Sequence, residues 1–192
     1  MGIFITQKNI LKLQEVRDIK KFIDDFDYNN CTKEEGELSL KYTEKKYDTL
    51  VKDIEFLDHK SDLLIKYLGL GTGGLGIILG YFSQINYWPI FTLFSLGFVC
   101  WVISVILSLA SSKPSAMPYP MTTQKIFKIL QQKEGYNVAV MKQALSYGYA
   151  CIILRHTGIK KGELLHWAYI GMVVSMCLFF LSLILGFVLG VR

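Results

Sequence analysis

Three stretches of this chain are nearly devoid of charge and long enough to cross a bilayer. Residues 85–110 and 166–191 contain no Asp, Glu, Lys or Arg, and residues 63–83 contain one, Lys66, near their start. A hydrocarbon core of about 30 Å is crossed by ~20 helical residues. In lipid every backbone N–H and C=O has to be bonded within the segment, so each stretch is predicted as a transmembrane helix. The expected fold is an all-α membrane protein. An N-terminal cytosolic region (residues 1–62), forming a helical hairpin or coiled coil, leads into a two-span hairpin (63–110). A basic cytosolic helical segment (111–165) and a third transmembrane helix (166–191) follow.

Charge orients these spans. Residues 1–66 hold 12 basic and 14 acidic side chains, residues 111–165 hold eight basic and two acidic, and the link between the first two spans has none. Basic residues flanking spans stay on the cytoplasmic side. The N-terminus and the basic segment are therefore expected inside, and the short turn and Arg192 outside. Residues 1–6 are apolar but run straight into Lys8, unlike a cleavable signal peptide. The same residues, MGIFIT, place Gly2 and Thr6 in an N-myristoylation pattern. The four cysteines (Cys31, Cys100, Cys151, Cys177) show no CxxC spacing, so neither a zinc site nor a disulfide framework is expected.

Periodicity subdivides the polar regions. Ile10, Leu13, Val16, Ile19, Ile23 and Phe26 recur every three or four residues, predicting a helix over residues 9–26. A second helix begins near Lys33. Leu40, Tyr47 and Ile54 repeat every seven residues, with Leu50, Leu57 and Leu64 between them. Such a seam suits a coiled coil, or equally a face resting on the first helix. No Pro or Gly separates Leu57 from Leu63, so this helix is expected to run unbroken into the first span. Beyond the second span, Pro114, Pro118 and Pro120 imply an extended linker on the membrane surface. A helix capped by Thr122 or Thr123 is expected to reach Lys133, and another to cover residues 137–154. That one carries Val138, Met141, Leu145, Tyr149 and Ile152 along one side and ends at Thr157-Gly158.

The first span contains Gly69, Gly71, Gly73, Gly74, Gly76 and Gly80, which include two overlapping GxGxxG patterns. A dinucleotide site would need a preceding β-strand, and none is predicted. The pairs Gly69/Gly73 and Gly76/Gly80 instead match small-xxx-small spacing, which lets helices approach closely, and a bend or gate at Gly73-Gly74 is the sharper alternative. Ser95, Ser104 and Ser108 in the second span, and Ser175 and Ser182 in the third, are expected to bond their own helix backbone.

No constellation carries catalytic chemistry. The three histidines, His59, His156 and His166, are dispersed, and the pair Arg155-His156 lacks a second histidine at nuclease spacing. No nucleophile elbow, metalloprotease, phosphate-loop or paired-acid pattern is present, so neither an enzyme nor a cofactor is expected. The basic segment offers the candidate ligand site: Lys125, Lys128, Lys142 and Arg155 converging on phosphates, with contact to anionic lipid headgroups an equal alternative for these four. Lys113, Lys160 and Lys161 are assigned to anionic lipid headgroups.

The run Tyr47-Asp48-Thr49-Leu50-Val51-Lys52-Asp53-Ile54-Glu55-Phe56-Leu57-Asp58-His59-Lys60-Ser61 leads directly into the Gly-rich span. A tight hairpin, a second span and a Pro-containing linker follow. Over residues 47–118 the chain resembles the small membrane effectors of bacterial antiphage systems, the SLATT and Pycsar-type transmembrane effectors. Members carry a Leu-Asp-x-Lys-Ala/Ser pattern just before the first span, matched by Leu57-Asp58-His59-Lys60-Ser61. The resemblance implies a homo-oligomer in the bacterial inner membrane, permeabilising it on a cytosolic signal. In Hailong-type systems that signal is a nucleotide or short oligonucleotide made by a partner nucleotidyltransferase or cyclase. The third span and the basic residues 122–154 depart from the simpler two-span pattern. The competing reading is a non-conducting membrane anchor or scaffold that recruits a soluble partner.

Overall fold

The structure, a computed structural model, describes residues 14–27, 32–82, 88–113, 118, 120 and 135–190. Helix is the regular structure of all of them: α1 (Gln14–Asp24), α2 (Lys33–Phe82), α3 (Trp88–Ser112) and α4 (Tyr136–Gly190), with no strand among the described residues. Two compact units emerge, one from Met1–Phe56 and Pro114–Lys160, the other from Leu57–Lys113 and Lys161–Arg192. Helices α2 and α4 contribute to both. The expected helix over residues 122–133 and the first residues of the expected N-terminal helix lie outside the described residues.

In the first unit, α2 starts on a reciprocal cap. The Thr32 backbone N–H donates to the Glu35 carboxylate at 3.0 Å, and the Glu35 N–H donates to Thr32 Oγ1 at 3.3 Å. Two otherwise unpaired donors of the first turn are thereby satisfied. The bond from the Thr32 N–H foremost, and a second from the Thr32 hydroxyl to the same carboxylate at 2.8 Å, hold the Glu35 carboxyl below the ordinary carboxylate range.

The heptad seam of α2 meets α4. A methyl group at Gly36 would lie 3.4 Å from Val140 Cγ1, and one at Gly158 would lie 3.8 Å from Ile54 Cγ1. Between these contacts the Cys151 thiol donates to the Thr43 carbonyl at 3.6 Å, and Tyr47 meets Tyr147 edge-to-face at 5.5 Å between ring centroids. The two end contacts are equally far apart on both helices, so α2 and α4 run parallel here, and the contacting positions recur at the spacings of a coiled coil. The buried face of α4 includes Val140, Ala144, Cys151 and Leu154. Of the stripe predicted for this helix, Met141 is buried, while Leu145, Tyr149 and Ile152 line a cavity instead.

One expectation is corrected here. Thr157-Gly158 does not end the helix. Thr157 is buried, its hydroxyl donates back to the Ile153 carbonyl at 2.9 Å, and α4 continues to Gly190. Of the proline-containing linker, Pro118 is buried, and its carbonyl accepts from the Tyr47 hydroxyl at 3.3 Å.

In the second unit the later part of α2, all of α3 and the later part of α4 pack together. Leu64, Leu68, Leu165 and Ala168 form one core cluster, and Ile90, Phe94 and Phe179 another. Close approach of α3 to α4 depends on two glycines. An added Cβ at Gly97 would fall 2.9 Å from the Phe179 ring, and one at Gly171 only 2.3 Å from Ser104 Oγ. The small residues Gly97, Ser104, Ser108 and Ser111 recur on the α3 face that α4 occupies, where they let the backbones come together.

Beside these apolar clusters the unit encloses hydroxyls, while many large apolar side chains face outward. Ser61, Ser104, Ser108, Ser111, Ser175 and Ser182 are buried, whereas Phe91, Phe98, Ile103, Phe180, Ile184 and Phe187 are exposed. Both α3 and α4 are long and apolar enough to cross a membrane, yet only 22% and 17% of their most apolar windows are buried. The core helix of a soluble protein would bury most of such a window. The first predicted span, residues 63–83, is helical through Phe82 as the end of α2.

Candidate functional site

A buried polar layer crosses the second unit where its three helices meet. Asp58 and Ser61 share one face of α2, three residues apart. Ser108 and Ser111 come from the end of α3, and Lys161 from α4. The Lys161 side chain is 2% exposed, and its ammonium forms an ion pair with Asp58 Oδ1, whose side chain is 34% exposed. Ser61 Oγ donates to the Ser108 carbonyl at 2.9 Å, and Ser111 Oγ donates to the Lys161 carbonyl at 3.2 Å. The layer thus ties α2 to α3 and α3 to α4 through hydroxyl bonds, and α4 to α2 through charge. Ser108 Oγ is buried and has no hydrogen-bond partner among the described residues.

This arrangement corrects the lipid assignment of Lys161. A lysine serving headgroups keeps its ammonium at the surface, whereas this one is enclosed and neutralised by a carboxylate. It also gives the Leu57-Asp58-His59-Lys60-Ser61 run a physical division of labour. Asp58 and Ser61 turn inward to the layer, while His59 and Lys60 are exposed. Nothing in the sequence signalled the Asp58–Lys161 pairing. A signal for α3 was present, because Gly97, Ser104, Ser108 and Ser111 recur at helical spacing.

The expectation that the span serines bond their own backbone is corrected at Ser108, whose buried hydroxyl has no partner among the described residues, and holds at three others. Ser104, Ser175 and Ser182 donate to the carbonyls of Cys100, Met172 and Phe179 on their own helices. Of the glycines singled out in the first span, Gly71 faces the Trp101 indole, to which a methyl group there would come within 3.8 Å. A methyl group at Gly69, Gly73 or Gly74 would meet nothing within 4 Å. Gly76 and Gly80 belong to the same helix.

Of the basic residues proposed for phosphate, Lys125 and Lys128 lie outside the described residues. Lys142 is partly buried and Arg155 exposed, both on α4 in the first unit. Their separation of 13 positions on one helix amounts to about 20 Å along its axis. These two are therefore not brought together.

Arg155 instead borders a cavity of about 340 Å³ between α1, α2 and α4, shared with Lys46. The Lys46 ammonium sits 5.9 Å from the centroid of the Tyr42 ring. Cys151 also lines the cavity, and burial raises its thiol pKa, an effect that nearby Lys46 partly offsets. Burial likewise raises the pKa of the Tyr149 phenol. Among the described residues no group of three His, Cys, Asp or Glu side chains is placed to hold a metal ion.

No protein-family model, curated protein or solved structure matches this chain.

Proposed function

We propose that the chain is an oligomeric effector of the bacterial inner membrane, acting in antiphage defence by forming an ion-conducting pore. The observation that carries the membrane part is the second unit, in which hydroxyls and an ion pair are enclosed while large apolar side chains face outward. Such a distribution is unfavourable in water and matches lipid as the surrounding medium. In this reading residues 63–83, α3 and the end of α4 span the bilayer. The first unit is cytosolic, the N-terminus lies inside and Arg192 outside.

Assembly between copies is supported by the open face at Gly69 and Gly73, where an added methyl group would meet nothing within 4 Å among the described residues. Close helix approach through small residues is a general basis of association in lipid. The Asp58–Lys161 layer then joins the cytosolic end of the membrane unit on all three helices. The gating signal, a nucleotide or short oligonucleotide from a partner nucleotidyltransferase or cyclase, acts on the cytosolic helices.

Purified chain reconstituted in vesicles loaded with a potassium-sensitive dye tests this reading. Ion flux that depends on added cyclic or oligomeric nucleotides is the expected result. Silence with every nucleotide, in vesicles where the protein is oligomeric, would replace the pore by the non-conducting anchor.

A further inference from the structure

The cavity in the first unit has chemistry of its own. Its wall is built from Phe22, Ile23, Leu145, Tyr149 and Ile152, and none of the described residues lining it is acidic. Two cations border it, Lys46 and Arg155. Among the described residues Arg155 has no ion-pair partner, and Lys46 has only the face of Tyr42. The cavity opens to the surface on the side of these exposed cations. At about 340 Å³ the space falls in the range of ligand pockets, roughly 300–1,000 Å³. It also exceeds the roughly 150 Å³ apolar cavity that accepts benzene.

Gly148 is the second observation. It lies within a 55-residue helix, where glycine is unfavourable relative to alanine. It also lines this cavity, and a methyl group there would meet nothing within 4 Å. No close backbone contact accounts for it. What the missing side chain does is leave the cavity open.

We propose that this cavity binds a single-chain amphipathic carboxylate of the fatty-acid class. The alkyl chain lies against Phe22, Leu145, Tyr149 and Ile152 over Gly148, and the carboxylate is held by Lys46 and Arg155. The guanidinium suits a carboxylate because its planar fork matches the two oxygens. An apolar wall with cations on its border selects for a molecule with one apolar body and one anionic end. The inference is independent of the pore and is measured without conduction.

The experiment uses the full chain in nanodiscs of phosphatidylcholine and a twelve-carbon carboxylate carrying a terminal diazirine. After irradiation, labelled peptides are mapped by mass spectrometry. Label is expected on the peptides bearing Phe22 or Tyr149, and excess dodecanoate is expected to compete it away. Gly148→Leu fills the cavity while favouring helix, so the fold is retained, as circular dichroism checks, and this label disappears. The double variant Lys46→Gln/Arg155→Gln lowers it by about tenfold, the scale of a hydrogen bond to a charged group. Label on the exposed apolar peptides around Phe180 and Phe187 reports bilayer partitioning and stays constant in every variant. Label confined to those peptides, or unchanged by Gly148→Leu, overturns the site. Competition by dodecylphosphocholine equal to that by dodecanoate overturns the carboxylate. Displacement by a nucleotide but not by dodecanoate assigns the cavity to a different ligand.

Discussion

Replacing Asp58 by Asn takes the counter-ion from an ammonium that water barely reaches. Lys161 has 2% of its side chain exposed and Asp58 34%, so the two ends of this ion pair are not equivalent. Breaking a buried pair by removing one partner costs about 3–5 kcal/mol, because the remaining charge is left without compensation. Asp58→Asn falls near the lower end, about 3 kcal/mol, since Asn retains a carbonyl acceptor for the ammonium. Lys161→Met leaves the more exposed partner, whose carboxylate can recruit water through its open third. We therefore expect a smaller loss, about 1–2 kcal/mol. The double variant removes both charges and should return to within about 1 kcal/mol of wild type. Coupling between the sites is then about 3–5 kcal/mol, at or above the upper end for contacting residues, because each single change leaves a charge without its partner. Equilibrium unfolding in mixed micelles, followed by helical circular dichroism and by a second probe to test two-state behaviour, measures all four proteins. Two results would refute the reasoning: Asp58→Asn within 0.5 kcal/mol of wild type, a margin ordinary for surface changes, or Lys161→Met costing more than Asp58→Asn.

Gly97→Ala forces the Phe179 ring or Leu178 to give way and should cost about 1–3 kcal/mol, as overpacking does. An added Cβ at Gly73 meets nothing within 4 Å among the described residues, so Gly73→Leu should leave unfolding unchanged while removing the oligomer in size-exclusion chromatography with light scattering. Cys151 should react with iodoacetamide far more slowly than an exposed thiol at pH 8, read by mass spectrometry of the peptide. Its folded pKa lies above the ordinary 9.0, so its contribution to stability is complete below pH 9 and is lost as pH rises through the folded value. A chemical unfolding series from pH 8 to pH 10 should therefore show falling stability, and a flat or rising profile would contradict the burial of the thiol. A periplasm-active reporter fused after Arg192 should be functional, whereas activity of a cytosol-only reporter there would remove the three-span topology.

The sequence by itself determined the helical class, the seam of α2 and the start of that helix. Each is a local or periodic property. The seven-residue recurrence of Leu40, Tyr47 and Ile54 marks one face whatever lies opposite, and a helix beginning near Lys33 needs only Thr32 and Glu35 in register. The apolar stretches over residues 85–110 and 166–191 are likewise legible from composition. The partner of each face was decided by tertiary structure. The seam of α2 could have met α1 or another chain, and it meets α4, because Val140, Ala144, Cys151 and Leu154 present the matching surface in parallel register. Thr157-Gly158 reads as a helix end when only neighbours along the chain are considered. Enclosed in the first unit, Thr157 returns its hydroxyl to Ile153, and the helix continues through both residues. The glycine-rich first span suggested where helices approach closely, but the tightest approaches among the described glycines are at Gly97 and Gly171, where an added Cβ would meet Phe179 and Ser104. Lys161 looked like one of several lysines at a membrane surface. Its charge is enclosed instead because folding brings it to a carboxylate 103 residues away in the chain, a pairing that no local pattern encodes.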